Sequence, residues 1–235
     1  MFTQAPLRTT LAGLAFLLLP LLGTAQDKAP KTRTLVEINT SAGRMVVALY
    51  NETPQHRDNF LKLVKEHYYD STLFHRVIPG FMVQGGDPDS RRAADHTQVL
   101  GEGGPGYTIP AEIDPAFIHK KGALAAARQG DDVNPLKNSS GSQFYIVQGK
   151  SWTAADLDRL VQRKKAMYPA GNYGYTPEQV QTYASMGGAP HLDGNYTVFG
   201  EVVEGFETID AIAIRPCDGH DRPMTDVRMW MRVLP

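Results

Sequence analysis

Short runs of strand-forming residues, separated by turn residues, recur along nearly the whole of this chain and restrict it to a mainly β architecture. LVEIN and RMVVALY flank the connection TSAG as the arms of a hairpin would, and FHRVI and FMVQ flank Pro79-Gly80. GALAAA, SQFYIV, YTVFGEVV and VRMWMRVL follow at intervals. Helical spacing is confined to a few places. Thr53-Pro54 opens one helix, whose Phe60, Leu63, Val64 and His67 share a face, and Phe206, Ile209 and Ala213 mark another before the last strand. Many short strands with two such helices predict a closed β-barrel capped by helices.

The amino-terminal stretch stands apart from this pattern. Arg8, an apolar run from Leu11 to Leu22 and small residues from Gly23 to Ala25 read as a secretory signal peptide over residues 1–25. A membrane span needs about 20 apolar residues, and this run is shorter and broken by Pro20. The expectation is therefore cleavage, no stable membrane insertion afterwards, and a periplasmic or secreted mature chain. Residues 26–33, QDKAPKTR, form a polar, flexible lead-in, and residues 34–235 suffice for one domain with its own core. Within that domain, the texture changes over about 151–190. Thr153 and Asp156 have the spacing of a capping box, Leu157, Leu160 and Val161 keep helical spacing, and Thr176-Pro177 starts another helix that Gly187-Gly188 would end. This is a helical insertion, expected to be dispensable for barrel folding because long surface insertions cost little loop entropy. Partner docking is its alternative role.

Composition excludes several kinds of chemistry. The single cysteine, Cys217, rules out an intramolecular disulfide. The 24 Lys and Arg nearly balance the 25 Asp and Glu without long single-sign runs, so the electrostatic footprint of a nucleic-acid binder is missing. GEGGPG at 101–106 lacks the lysine of a phosphate-binding loop and leads into the extended YTIP, not a helix. The histidines form no HExxH, so no metal site is expected. Ser142 in GSQF has no nucleophile elbow around it.

The stretch FHRVIPGFMVQGGD carries the strongest functional signal. Arg76 and Gln84 interrupt two apolar runs, and burying such groups unpartnered costs a few kcal/mol, so each needs a reason. Read with GSQFYI and LDGNYTVFGEVVEG, in that order, this stretch resembles the cyclophilin family of peptidyl-prolyl isomerases, and the likeness runs from about Leu35 to the carboxyl end apart from the insertion. The resemblance implies a closed eight-stranded barrel with two capping helices and an active groove on its outer face. It implies that Arg76 is the catalytic arginine, that Gln84 lies beside the substrate backbone, and that Phe81, Met82, Tyr145 and Leu192 hold the proline ring. Ala127 and Gln143 match groove positions. Three positions depart from the commoner pattern: His191 stands for a tryptophan, Tyr196 for a histidine, and Arg128 for an asparagine that presents its backbone. The resemblance implies substrate contact at His191, Tyr196 and Arg128, the last through its backbone; the plainer alternatives are an exposed loop histidine at 191 and a solvated side chain at Arg128.

The implied activity is rotation about Xaa-Pro bonds in proline-containing polypeptides, assisting the folding of exported proteins, with no cofactor and a monomeric chain. A module that holds proline segments without turning them over, or a scaffold whose insertion docks a partner, are the alternatives.

Overall fold

A computed structural model of the 235-residue chain describes Met1 and residues 32–93, 95–167 and 173–235. The expected signal peptide, beyond Met1, and most of the lead-in lie outside the described residues.

Eight strands form one antiparallel sheet: β1 (Leu35–Thr40), β2 (Gly43–Leu49), β3 (Arg76–Ile78), β4 (Met82–Gly85), β6 (Ala123–Ala126), β8 (Phe144–Val147), β9 (Val198–Glu204) and β10 (Met229–Val233). Their order is β10-β1-β2-β9-β6-β8-β4-β3. Two short strands, β5 (Thr108–Ile109) and β7 (Ser139–Ser140), pair separately. The first hairpin closes with Thr40 opposite Gly43, whose φ of +144° and lack of a Cβ admit the Thr208 hydroxyl.

The inner side of the sheet and two helices make the main core. Val36, Ile38, Val47, Val83, Leu124 and Ile146 pack with Phe60, Leu63 and Val64 of α1 (Pro54–Lys65) and Ile209 and Ile212 of α4 (Phe206–Ala213). The helix α1 ends sooner than the apolar spacing predicts, because His67 turns left-handed at φ 57° and stays exposed. Strands β6 and β8 are buried at every position, ALAA and FYIV. They are covered on both sides: Met82, Ala123, Ala125, Tyr145, Val147 and Val198 form a second apolar cluster away from the main core. Double coverage explains why these strands read as continuous apolar runs without alternation.

The sheet does not close into the expected barrel. It is an open, strongly curled half-barrel whose edges, β3 and β10, share no ladder. The two flanks are joined by an isolated bridge, Leu73 to Arg228, by backbone bonds such as Ser71 N–H to Met229 O (2.9 Å), Phe74 N–H to Val227 O (2.9 Å) and Val77 N–H to Asp221 O (2.8 Å), and by Arg228 Nη1 donating to Ser71 O (2.8 Å). Closure fails because β3 is only three residues long, and left-handed turns at Ser71 (φ 66°) and Asp221 (φ 63°) interrupt the two segments that would have to pair.

The insertion contains the two expected helices, α2 (Ala154–Met167) and α3 (Pro177–Ser185). Thr153 Oγ1 accepts from the Asp156 N–H at 3.1 Å, and Thr176 and Gln179 form a reciprocal capping box at the start of α3. Leu157 and Tyr183 bury themselves around Ile118 in a third small cluster. Among the described residues, no helix is long and apolar enough to cross a membrane.

Candidate active site

Strand register assembles the site. Arg76 on β3 is opposite Gln84 on β4, Gln84 is opposite Tyr145 on β8, and Tyr145 is opposite Ala125 on β6. This row runs across four neighbouring strands on the side away from the main core, and it brings a cation, an amide and an aromatic ring abreast.

Beside the row lies a cavity of about 170 Å³ lined by Arg76, Phe81, Met82, Gln84, Ala127, Arg128, Tyr145, Leu192 and Tyr196. A larger open groove of about 820 Å³ adjoins it, sharing Gln84, Ala127 and Arg128 and reaching Gln143 and the segment Gly101–Thr108. The structure therefore brings together the residues expected from the sequence except His191, which lines neither cavity and reaches the site only through its ring contact with Phe81. Met82 and Tyr145 are buried, Phe81, Leu192 and Tyr196 are half-buried, and Arg76 is exposed.

A one-way chain of hydrogen bonds ties the polar members. Arg76 Nη1 donates to Gln84 Oε1 (3.5 Å), Gln84 Nε2 donates to Gln143 Oε1 (3.1 Å), and Gln143 Nε2 donates to the carbonyls of Gly101 (2.7 Å) and Gly103 (2.8 Å). Each amide is oriented by its neighbours. Among the described residues, Asp221 supplies the one ion pair of Arg76, Nε to Oδ2 at 3.5 Å. Both partners are loosely held and solvated, so the guanidinium keeps donors for a ligand.

The pocket floor is aromatic. Tyr145 meets Tyr196 edge-on at 82° with centroids 5.9 Å apart, and its hydroxyl lies 3.0 Å from His119 Nε2. Burial, reinforced by Tyr196 and Asp193, pushes the Tyr145 phenol well above its ordinary range, so it stays protonated.

The plainer alternative for Arg128, a solvated side chain, does not hold. Its guanidinium sits over the Tyr196 ring at 4.5 Å, Nε donates to Asn195 O (2.8 Å), and Nη2 pairs with Asp131 (2.7 Å) with only 4% of the side chain exposed. Stacking and pairing together outweigh hydration here. His191 is exposed, and its ring lies 5.2 Å from that of Phe81, which lines the pocket. Burial, then the neighbouring His119 and Lys164, lowers its pKa.

Several contributors escape a reading of the sequence. Gly101–Gly106 lines the groove with backbone, and Gly103 fits because a Cβ there would meet Asp87 Oδ1 at 2.1 Å. Asp87 Oδ2 in turn accepts from the Gly101 N–H. The glycine-rich composition was the available signal, since glycines admit close backbone approach. Asp221, His119 and Asp193 carry no local signal.

Known proteins share the sequence pattern and the fold of this chain. Residues 35–232 match the family described as cyclophilin type peptidyl-prolyl cis-trans isomerase/CLD. A Staphylococcus haemolyticus protein assigned as a peptidyl-prolyl cis-trans isomerase is 34% identical over 194 residues, 82% of this chain and 86% of that protein. A Streptococcus pyogenes protein assigned both a phosphatase and a peptidyl-prolyl cis-trans isomerase activity is 35% identical over 211 residues, 88% of this chain but only 39% of that longer protein. The crystal structure of a Cryptosporidium parvum cyclophilin-type peptidyl-prolyl cis-trans isomerase superposes with a TM-score of 0.62 at 25% identity, covering 86% of this chain and 98% of that one. The same protein crystallised in the presence of the dipeptide Ala-Pro gives 0.61.

Proposed function

The chain belongs to the cyclophilin-type peptidyl-prolyl cis-trans isomerases, and we propose that Arg76, placed at the rim of the aromatic pocket and abreast of Gln84, is the group that lowers the barrier to rotation. The position of that exposed guanidinium carries the reading.

Rotation about the bond before proline is opposed by about 20 kcal/mol of lost amide resonance. No covalent bond has to break. At the twisted state, the proline nitrogen becomes pyramidal and regains its lone pair, whereas both planar ground states delocalise it. A guanidinium directed at that nitrogen therefore stabilises the transition state more than either isomer. Arg76 retains its charge and its fork of donors, which a lysine would not match. Phe81, Met82, Tyr145 and Leu192 hold the ring, with Tyr196 buttressing Tyr145. Gln84 and the backbone at Ala127 and Arg128 hold the adjoining peptide units, while Gln143 keeps Gln84 oriented. With the ring fixed, the acyl side turns.

The substrates on this reading are proline-containing polypeptides, as the Ala-Pro dipeptide used with the Cryptosporidium structure would be. A protease-coupled assay on a proline tetrapeptide tests the proposal. Acceleration that disappears with Arg76 supports it, and tight peptide binding without acceleration would mark a holding module instead.

Residues 8–25, with their basic, apolar and small-residue succession, support export and an expected role in folding exported proteins as a monomer. Amino-terminal sequencing of protein from the exported fraction is expected to begin after about residue 25. Recovery of intact Met1 on membranes would overturn this, and gel filtration at micromolar concentration checks the monomer.

A further inference from the structure

The insertion reaches the proline pocket through buried polar groups. Tyr183 of α3 and Tyr175, just ahead of it, donate their hydroxyls to Asp193 Oδ2 at 2.5 and 2.9 Å. The other carboxylate oxygen, Oδ1, accepts from the His119 backbone N–H (2.8 Å) and lies 2.8 Å from His119 Nδ1. The far nitrogen, Nε2, meets the Tyr145 hydroxyl, and the His119 and Tyr145 rings stack at 13°. Tyr183 and His119 are 0% exposed and Tyr145 4%. Burial alone would raise the Asp193 carboxyl, but the bonds from His119 and Tyr183 more than offset it, and the group sits below its ordinary range. In the tautomer with its N–H at Nδ1, directed at the carboxylate, His119 Nε2 accepts a hydrogen bond from the Tyr145 hydroxyl.

A parallel set of contacts holds the pocket wall. Lys164 of α2 donates to the carbonyls of Pro190 (3.2 Å) and Asp193 (2.7 Å), and the Tyr175 hydroxyl also reaches Pro190 O (3.0 Å). Leu192 lies between those two anchored carbonyls and lines the pocket.

We propose that Tyr175, Tyr183, Asp193 and His119 form a positioning relay through which the helical insertion sets the stance of Tyr145 and Leu192, making the insertion a rate-determining part of the proline pocket. This rests on the isomerase reading of that pocket. A phenylalanine at position 145 would need no such support. The tyrosine hydroxyl at that depth does, since an unpaired buried donor is costly and neighbouring bonds in a buried network strengthen one another. His119 and Asp193 touch no substrate and act through Tyr145 and the loop that carries Leu192.

The test compares Tyr175→Phe/Tyr183→Phe in the full chain with the same pair in a Tyr145→Phe background. The relay predicts that the pair lowers kcat/KM roughly fivefold in the parent and less than about twofold where the Tyr145 hydroxyl is already gone, since coupled groups are non-additive. Equal losses in both backgrounds would overturn it, because a purely structural role of the tyrosines does not depend on that hydroxyl. If the pair does not fold, Tyr183→Phe alone is read in the same way. A second readout is independent of turnover: the ring resonances of Tyr145 in tyrosine-labelled protein are expected to shift on Tyr183→Phe, and unchanged resonances would refute the relay. A parent chain without turnover would sink the isomerase reading, and the resonances together with Ala-Pro peptide affinity would then judge the relay by themselves.

Discussion

Arg76 and Gln84 stand directly opposite each other across the β3–β4 pair, and the guanidinium donates to the amide at 3.5 Å, near the outer limit for such a bond. Gln84 therefore steers Arg76 without saturating it. An arginine held by a short bidentate pair would have its donors committed to the protein. This one, with 44% of its side chain exposed, can turn them to a substrate.

Arg76→Ala is expected to remove roughly 2 to 4 kcal/mol of transition-state stabilisation, or on the order of 30- to 1,000-fold in kcat/KM. Peptide affinity should change much less, because the planar isomers offer no free lone pair at nitrogen. The denaturation midpoint should hardly move, since exposed pairs contribute about 0 to 1 kcal/mol. Arg76→Lys should lose most of the same rate. Turnover, affinity and midpoint measured on one preparation check this, and full activity in folded Arg76→Ala would refute the mechanism.

Gln143 is 6% exposed and donates to two glycine carbonyls while accepting from Gln84. Gln143→Leu should destabilise by about 1 to 3 kcal/mol, the penalty for orphaned polar groups. It should also release Gln84 and lower kcat/KM about tenfold through poorer positioning. Urea denaturation and the coupled assay read the two effects separately, and a variant with unchanged kcat/KM would show that Gln84 needs no such support.

His75 adds a pH dependence. It is 3% exposed, neither ring nitrogen finds a hydrogen-bond partner among the described residues, and burial pushes its pKa down to about 4. An unfolded histidine titrates near 6.5, so between pH 6.5 and 4 the unfolded chain binds the additional proton. Stability from this group is complete above about pH 6.5 and is lost as pH falls toward 4, by roughly 3 kcal/mol in all. His75→Phe should flatten the stability curve in that window. Parallel curves for the two proteins would disprove the assignment.

Gly188 has φ +155°, and a Cβ there would stand 2.3 Å from the His119 carbonyl and 2.5 Å from the Tyr183 ring. Gly188→Ala should cost about 2 to 4 kcal/mol, from backbone strain together with displacement of packed neighbours. Calorimetry of the purified variant measures it, and a midpoint within a degree of the parent would contradict the crowding.

What could be read in the sequence was what local chemistry determines. Apolar runs bounded by Pro79-Gly80 or TSAG gave the strands, Thr53-Pro54 and Thr176-Pro177 gave helix starts, and a charged residue inside FHRVI marked Arg76. What escaped depends on distant chain segments meeting. Whether β3 and β10 would ladder turned on left-handed turns at Ser71 and Asp221. The side chain of Arg128 found its place only against Tyr196 and Asn195. The glycines at 101–106 contribute carbonyls and space, which composition alone cannot direct to any target. His119 and Asp193 are ordinary loop residues until the insertion brings two tyrosines to them.

The unladdered seam between β3 and β10 leaves the two sides of the groove unequally paired. Tyr145 sits on β8, laddered on both sides by β4 and β6, so the seat for the proline ring is clamped. Arg76 begins β3, an edge strand laddered through three residue pairs to β4 and held on its other side by Val77 N–H to Asp221 O (2.8 Å) and by the Arg76–Asp221 pair. On the proposed mechanism, the ring is therefore seated on a strand laddered on both sides, while the charge that meets the twisting nitrogen is carried at the start of a strand laddered on one.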